Sequence, residues 1–111
     1  MQIIEWQDFE RVELRVGTVI NAAPNEKATK PAYVLQVDLG ELGIRTSSAQ
    51  VTAHYRADEL LGRQVLCVCN FAPKRIAGVR SEVLVTGVYD SDGKVVLAGF
   101  DKPLPNGARL A

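Results

Sequence analysis

"YVLQVDLG", Tyr33 to Gly40, alternates more cleanly than any other stretch of the chain. Tyr33, Leu35, Val37 and Leu39 fall on one side of an extended backbone, and Val34, Gln36 and Asp38 on the other. Successive side chains of a strand point to opposite faces. The run therefore reads as a β-strand with its first set turned toward a core. The following "ELG" supplies a turn.

Both flanks continue the pattern. Upstream, "ELRVGTVINA" is a second strand. Leu14, Val16, Thr18 and Ile20 share one face, Arg15, Gly17, Val19 and Asn21 share the other, and Gly17 is a candidate bulge or bend. "APNEKATKPA" (Ala23 to Ala32) carries two prolines and mixed charge and reads as a loop. Before these, "WQDFERV" spaces Trp6, Phe9 and Val12 three apart, which suits a short helix with one apolar stripe.

Downstream, "IRTSSAQ" is a third strand shading into a loop. "VTAHYRADELLG" (Val51 to Gly62) is the convincing helical stretch, with Asp58 and Glu59 suited to an early turn and Gly62 to the stop. "RQVLCVCNF" is apolar on both faces, so it belongs in the centre of a sheet or under a partner. "SEVLVTGVYD" and "KVVLAGF" form a last pair joined by "DSDG", a hairpin turn with Gly93 at positive φ. The tail "DKPLPNGARLA" reads as turn-rich. About six short strands, with one helix between the third and fourth, predict an all-β fold. The expected form is a five-stranded Greek-key OB-fold β-barrel with short helices and a C-terminal extension, occupying residues 1–111 as one domain.

Composition narrows the function. Lys and Arg number 13, Asp and Glu 13, and apolar residues make up 47% of the chain, an ordinary balance for a soluble globular protein. No apolar run approaches membrane-spanning length, so no membrane insertion is expected. The acidic start "MQIIEWQDFER" lacks the features of a signal peptide, which points to the cytoplasm. Cys67 and Cys69 share a strand face near the limit of disulfide reach and read as small reduced thiols. No ligand cluster suits a metal, and no cofactor motif is present. The single histidine, His54, and the pair Ser47 and Ser48 have no catalytic partner nearby in sequence. A binding module, not an enzyme, is the expectation.

One segment breaks the even charge distribution. "NFAPKRIAGVRS" (Asn70 to Ser81) gathers Lys74, Arg75 and Arg80 in a span with no acid between Gln64 and Ser81. Arg15 and Arg45 are expected on the polar faces of strands one and three, and Lys27 and Lys30 in the loop after strand one. In an OB barrel the outer face of strands two and three, with its bordering loops, is the usual ligand surface. Cations from four segments are thus expected to line one groove, raising the local concentration of anions although net charge is zero.

"DFERVELRVGTV", "SSAQVTAHY", "ELLGRQVLCVCNFAPKRIAGVRSEVLVTGVYD" and "LPNGARL" together resemble the tRNA-binding-domain superfamily, an OB module found alone or appended to methionyl-tRNA synthetases. "KPAYVLQVD", "SSAQ", "RIAGVRSEVLV" and "PNGAR" are most similar to its CsaA group of small export-related chaperones. Ser47-Ser48-Ala49-Gln50 stands where tRNA-binding relatives tend to carry a Ser-Gly-Ile-Ala type segment. Two departures from the group, Ala72 in place of a second proline and the "LAGFDKP" stretch, touch the rim of the site and not the fold.

The resemblance implies a homodimer that binds extended peptide segments of unfolded or precursor proteins, with the SecA export motor as partner in bacteria, and tRNA as an alternative ligand. For a peptide, Arg75 and Arg80 offer planar forks, Lys74, Arg45 and Lys30 add charge, Phe71 and Ile76 apolar contact, and Ser47, Ser48, Gln50 and Asn70 backbone pairing. For tRNA the same cations meet phosphates. Trp6, Tyr33, Phe71 and Tyr89 fall mostly at core-like positions, so shape and phosphate recognition is expected rather than base stacking. The doubly apolar "VLCVC" and the tail residues Leu97, Phe100, Leu104 and Leu110 exceed what one small barrel covers, which favours a two-fold partner.

Overall fold

A computed structural model describes residues 1–111. A short helix α1 (Trp6–Glu10) precedes strand β1 (Leu14–Pro24), followed by β2 (Tyr33–Asp38), a 3-10 turn at Gly40–Leu42 and β3 (Ile44–Ala49). One helical turn, α2 (Ala57–Leu60), leads to β4 (Gln64–Val68). A hairpin β5 (Lys74–Ile76) and β6 (Val79–Ser81) then precedes β7 (Leu84–Val85), β8 (Gly87–Tyr89) and β9 (Val95–Leu97). The main sheet runs β3-β2-β1-β4-β7, with every pairing antiparallel. The β6–β7 region packs back against β3, giving a nearly closed five-stranded barrel.

The alternation read from β2 holds: Leu35, Val37 and Leu39 are fully buried, and Tyr33 packs at the core margin. They meet Val19, Val65, Cys67, Val83 and Val85, while Leu60 of α2 plugs the interior. Strand β1 differs from the expectation. Its inward face carries Gly17 and Val19, and Leu14, Val16 and Thr18 are on the other face, where Val16 is nonetheless buried. The bulge sits between Val19 and Asn21, not at Gly17, and turns Ile20 to solvent. Gly17 is needed for space: a β-carbon there would lie 2.8 Å from Leu39 Cδ2 and closer still to Val37 Cγ1.

The free edge of β1 is taken by the tail. Gly107 N donates to Val16 O at 2.7 Å, Val16 N to Ala108 O and Leu110 N to Leu14 O, so the C-terminal segment pairs with the half of β1 that β2 does not reach. "PNGAR" is thus a sheet edge and not only a turn. Gly107 makes this docking possible, because a β-carbon there would lie 2.7 Å from Leu39 O.

The predicted helix over residues 51–62 shrinks to one turn. Val51 is drawn into the core, and the Tyr55 carbonyl accepts the Tyr33 hydroxyl at 2.8 Å instead of a helical amide. Arg56 starts α2 by donating its N–H to Glu59 Oε1 at 2.8 Å. The turn at Gly93 forms as read, with φ of 77°. The strand expected across "SEVLVTGVYD" breaks at Thr86, whose N–H and hydroxyl both go to Leu66 O. A Gly17→Ala variant will lose about 1–3 kcal/mol of stability in urea unfolding through overpacking against Val37 and Leu39.

Candidate ligand-binding site

The basic segment is not a loop. Lys74, Arg75 and Ile76 pair with Ser81, Arg80 and Val79, and Ala77 and Gly78 turn the chain with φ of 47° and 81°. Two successive positive φ values are what a tight hairpin with right-handed strand twist needs. Ala77 holds its half at a steric cost that glycine would avoid. The tip rests on the loop between β1 and β2: Asn25 Nδ2 donates to Ala77 O at 3.4 Å, and the Lys27 side chain runs beside Gly78.

The pairing register sorts the cations. Arg75 and Arg80 are directly opposed and share one exposed face of the hairpin. Arg75 Nη1 donates to Gly78 O at 3.2 Å and has no acidic partner; Arg80 Nη1 lies 3.4 Å from Glu82 Oε2. Like charges opposed across strands repel. This face thus carries two cations and one carboxylate, and Lys27 adds a third cation beside the tip. Lys74 and Ile76 belong to the opposite face, which looks toward β3.

Between that face and β3 lies a hollow of about 370 Å³. Phe71, Ile76, Val83 and Leu84 form its apolar lining, and Ser48, Lys74, Ser81 and Glu82 its polar border. Phe71 is 58% exposed there, too open for a core residue. The border also closes the barrel. Glu82 N donates to Thr46 O at 2.8 Å, Thr46 N to Glu82 Oε1 at 3.1 Å, and Ser48 N to Ser81 Oγ at 3.0 Å. Side-chain oxygens thus do for the edge of β3 what a neighbouring strand would.

The remaining residues read from the sequence do not join this hollow. Ser47 is 1% exposed, and its hydroxyl has no partner, so it cannot meet a ligand here. Its Cα partner Leu35 faces the core, and so does Ser47. Asn70 uses both ends of its amide internally, accepting from Glu13 N and donating to Arg11 O. Arg15 and Arg45 line a cavity of about 230 Å³ at the barrel mouth with Glu13, Leu39 and Cys69, instead of projecting from outer faces. Arg15 is held there by Glu13 and Gly107 O. Gln50 and Lys30 border another hollow, near β8–β9. The single cationic groove is therefore three separate concavities. Ser81, Glu82 and Leu84 were missed because their roles depend on β3 lying alongside them, which sequence spacing does not show.

Burial pushes the Cys67 thiol up to about 12, so it stays protonated at neutral pH. Burial also raises Cys69, against the pull of Arg15 and Arg45. Both cysteines are free. Asp90 is lowered by the N–H groups of Lys94 and Asp92 and by His54. No group of three His, Cys, Asp or Glu side chains stands close enough to hold a metal ion.

Residues 14–109 match the family described as "Putative tRNA binding domain". The chain belongs to the tRNA-binding domain family. Methionine–tRNA ligases of Flavobacterium johnsoniae and Pyrococcus furiosus are 32% and 36% identical to it over 108 and 110 residues. That is 97% and 99% of this tRNA-binding domain chain but only 15% of each ligase. Among solved structures, the chaperone CsaA of Bacillus anthracis str. Ames superposes with a TM-score of 0.93 at 44% identity, covering 99% of this chain and all of that one. The CsaA chaperone of Picrophilus torridus gives 0.91 at 39%, covering 98% and 100%. A MetRS related protein from Pyrococcus horikoshii gives 0.88 at 31%, with both chains fully covered. The chain is of the CsaA type within its family. No helix is long and apolar enough to cross a membrane.

A Ser47→Ala variant will keep full ligand binding. It will also gain about 1 kcal/mol of stability in urea unfolding, since it removes a buried hydroxyl that has no partner.

Proposed function

We propose that this chain is a non-enzymatic, cytoplasmic chaperone of the CsaA type that holds extended segments of unfolded or precursor proteins. The hollow between the β5–β6 hairpin and β3 carries this reading. It offers the open Phe71 ring, Ile76 and Leu84 to apolar side chains, and Lys74, Ser48 and Ser81 to polar ones. A shallow apolar trough with a mixed polar rim discriminates weakly among sequences, as a general chaperone must. The full-length likeness to two CsaA structures supports it. The SecA export motor is the partner that this reading implies.

A homodimer is part of the proposal. Val88 and Val96 are Cα partners on one face of the β8–β9 hairpin, and both are exposed, Val88 at 71%. Trp6, Phe100 and Leu104 leave further apolar surface uncovered. An apolar surface of this extent on a small protein calls for a partner. Two sites per dimer would raise the grip on a long chain through avidity. Light scattering at micromolar concentration will give a dimer mass, and a monomer mass contradicts the proposal.

A second reading has its own observation. The hairpin face with Arg75 and Arg80, with Lys27 beside its tip, is suited to phosphates, and the family match favours tRNA. Changing Lys74, Arg75 and Arg80 together to Ala separates the two. As a chaperone the variant will suppress aggregation of a reduced, unfolded client less well, with mild salt dependence. If tRNA is the main ligand, wild-type tRNA binding will show a log–log salt slope of roughly −4 to −5 for about six phosphates per dimer, and the variant, which keeps Lys27, will bind far more weakly with most of that slope gone. Wild-type behaviour in both assays refutes a ligand role for the hairpin.

A further inference from the structure

The exposed aromatics depart most from the sequence expectation. Of the four rings expected at core-like positions, only Tyr33 packs at the core; Trp6 is 64% and Tyr89 74% exposed. Tyr89 stands at the edge of a hollow of about 420 Å³, lined also by Lys30, Pro31, Gln50, Thr52 and Lys94. The side chains of Lys30, Lys94, Gln50 and Thr52 make no hydrogen bond or ion pair within the chain. No carboxylate is among the lining residues.

The walls of this hollow are braced. His54 Nε2 meets Asp90 Oδ2 at 2.6 Å, and Leu97 N donates to the Tyr55 hydroxyl at 3.0 Å, tying β8–β9 to the segment that carries Gln50 and Thr52. Asp90 Oδ1 accepts the N–H groups of Asp92 and Lys94, each at 2.9 Å, which fixes the turn that presents Lys94. Two unpaired ammonium groups, an amide, a hydroxyl and an open ring therefore surround one rigid concavity.

We propose that this hollow takes a nucleotide of single-stranded RNA. The base stacks on Tyr89, the Gln50 amide and Thr52 hydroxyl meet its polar edge, and Lys30 and Lys94 hold the flanking phosphates. Lysines alone would suit any polyanion. An exposed ring beside them, with free donors and an acceptor, suits a base joined to phosphates. The site is distinct from the hairpin hollow, and the two share no lining residue. It supplies the stacking that phosphate recognition by the hairpin lacks.

The test is fluorescence anisotropy with a labelled single-stranded adenylate oligoribonucleotide, on full-length wild type and variants. Tyr89→Ala will weaken binding by about tenfold, while Tyr89→Phe will retain it. Changing Lys30 and Lys94 together to Ala will weaken binding and reduce the salt slope by about 1.4. The Lys74, Arg75 and Arg80 variant will still depend on Tyr89, so failure of the hairpin reading and failure of this one are distinguishable. No binding by the wild type, or equal binding by wild type and Tyr89→Ala, overturns the proposal. So does a poly-glutamate chain that binds in place of RNA and loses affinity with Tyr89→Ala. Tyr89 is a surface residue, so circular dichroism will show the variant folded.

Discussion

The free edge of β3 governs the rest of the molecule. A buried or half-buried amide without a partner is costly, and an open edge invites pairing with another chain. Here the N–H groups of Thr46 and Ser48 are taken by Glu82 Oε1 and Ser81 Oγ, and one backbone bond joins Glu82 to Thr46. Three bonds close the barrel where a full strand is absent. They also anchor the end of the β5–β6 hairpin, and so fix the hollow that opens between hairpin and sheet.

Strand periodicity then decides what each charged residue can do. A two-residue hairpin turn at Ala77 and Gly78 sets Arg75 opposite Arg80 and places Lys74 on the other side. The hairpin is a two-faced element: one face mostly cationic and open to solvent, the other mixed and set over an apolar trough. The same rule turns Arg45 and Ser47 inward along β3, Arg45 reaching the mouth and Ser47 the interior. A chain with no net charge thus presents separate patches of different chemistry.

Much of the fold is legible in the sequence, because the apolar alternation of β2 and the glycine turn at Gly93 leave little choice. The site is less so. "IRTSSA" contains two adjacent serines, and only the pairing of Ser47 with Leu35 shows which is buried. "RIAGVR" hides a hairpin because alanine is a poor residue for positive φ. The helix over residues 51–62 fails because Val51 and Tyr55 are claimed by long-range partners, which local periodicity cannot reveal. Tyr89 looks like a core residue in "TGVYD", but a separate two-stranded ribbon that packs on the barrel through Val95 and Leu97 leaves Tyr89 open.

The central claim is that the hairpin, clamped to β3 by Glu82 and Ser81, forms a ready-made trough for an extended chain. Amide chemical shifts of isotope-labelled protein, followed during titration with an unfolded client peptide, test it most directly. The account predicts saturable shifts at Ser48, Phe71, Lys74, Ile76 and Leu84, with the amides of Thr46 and Ser48 still protected from exchange. Shifts confined to the opposite surface, or loss of protection at Thr46 as the peptide binds, would contradict it.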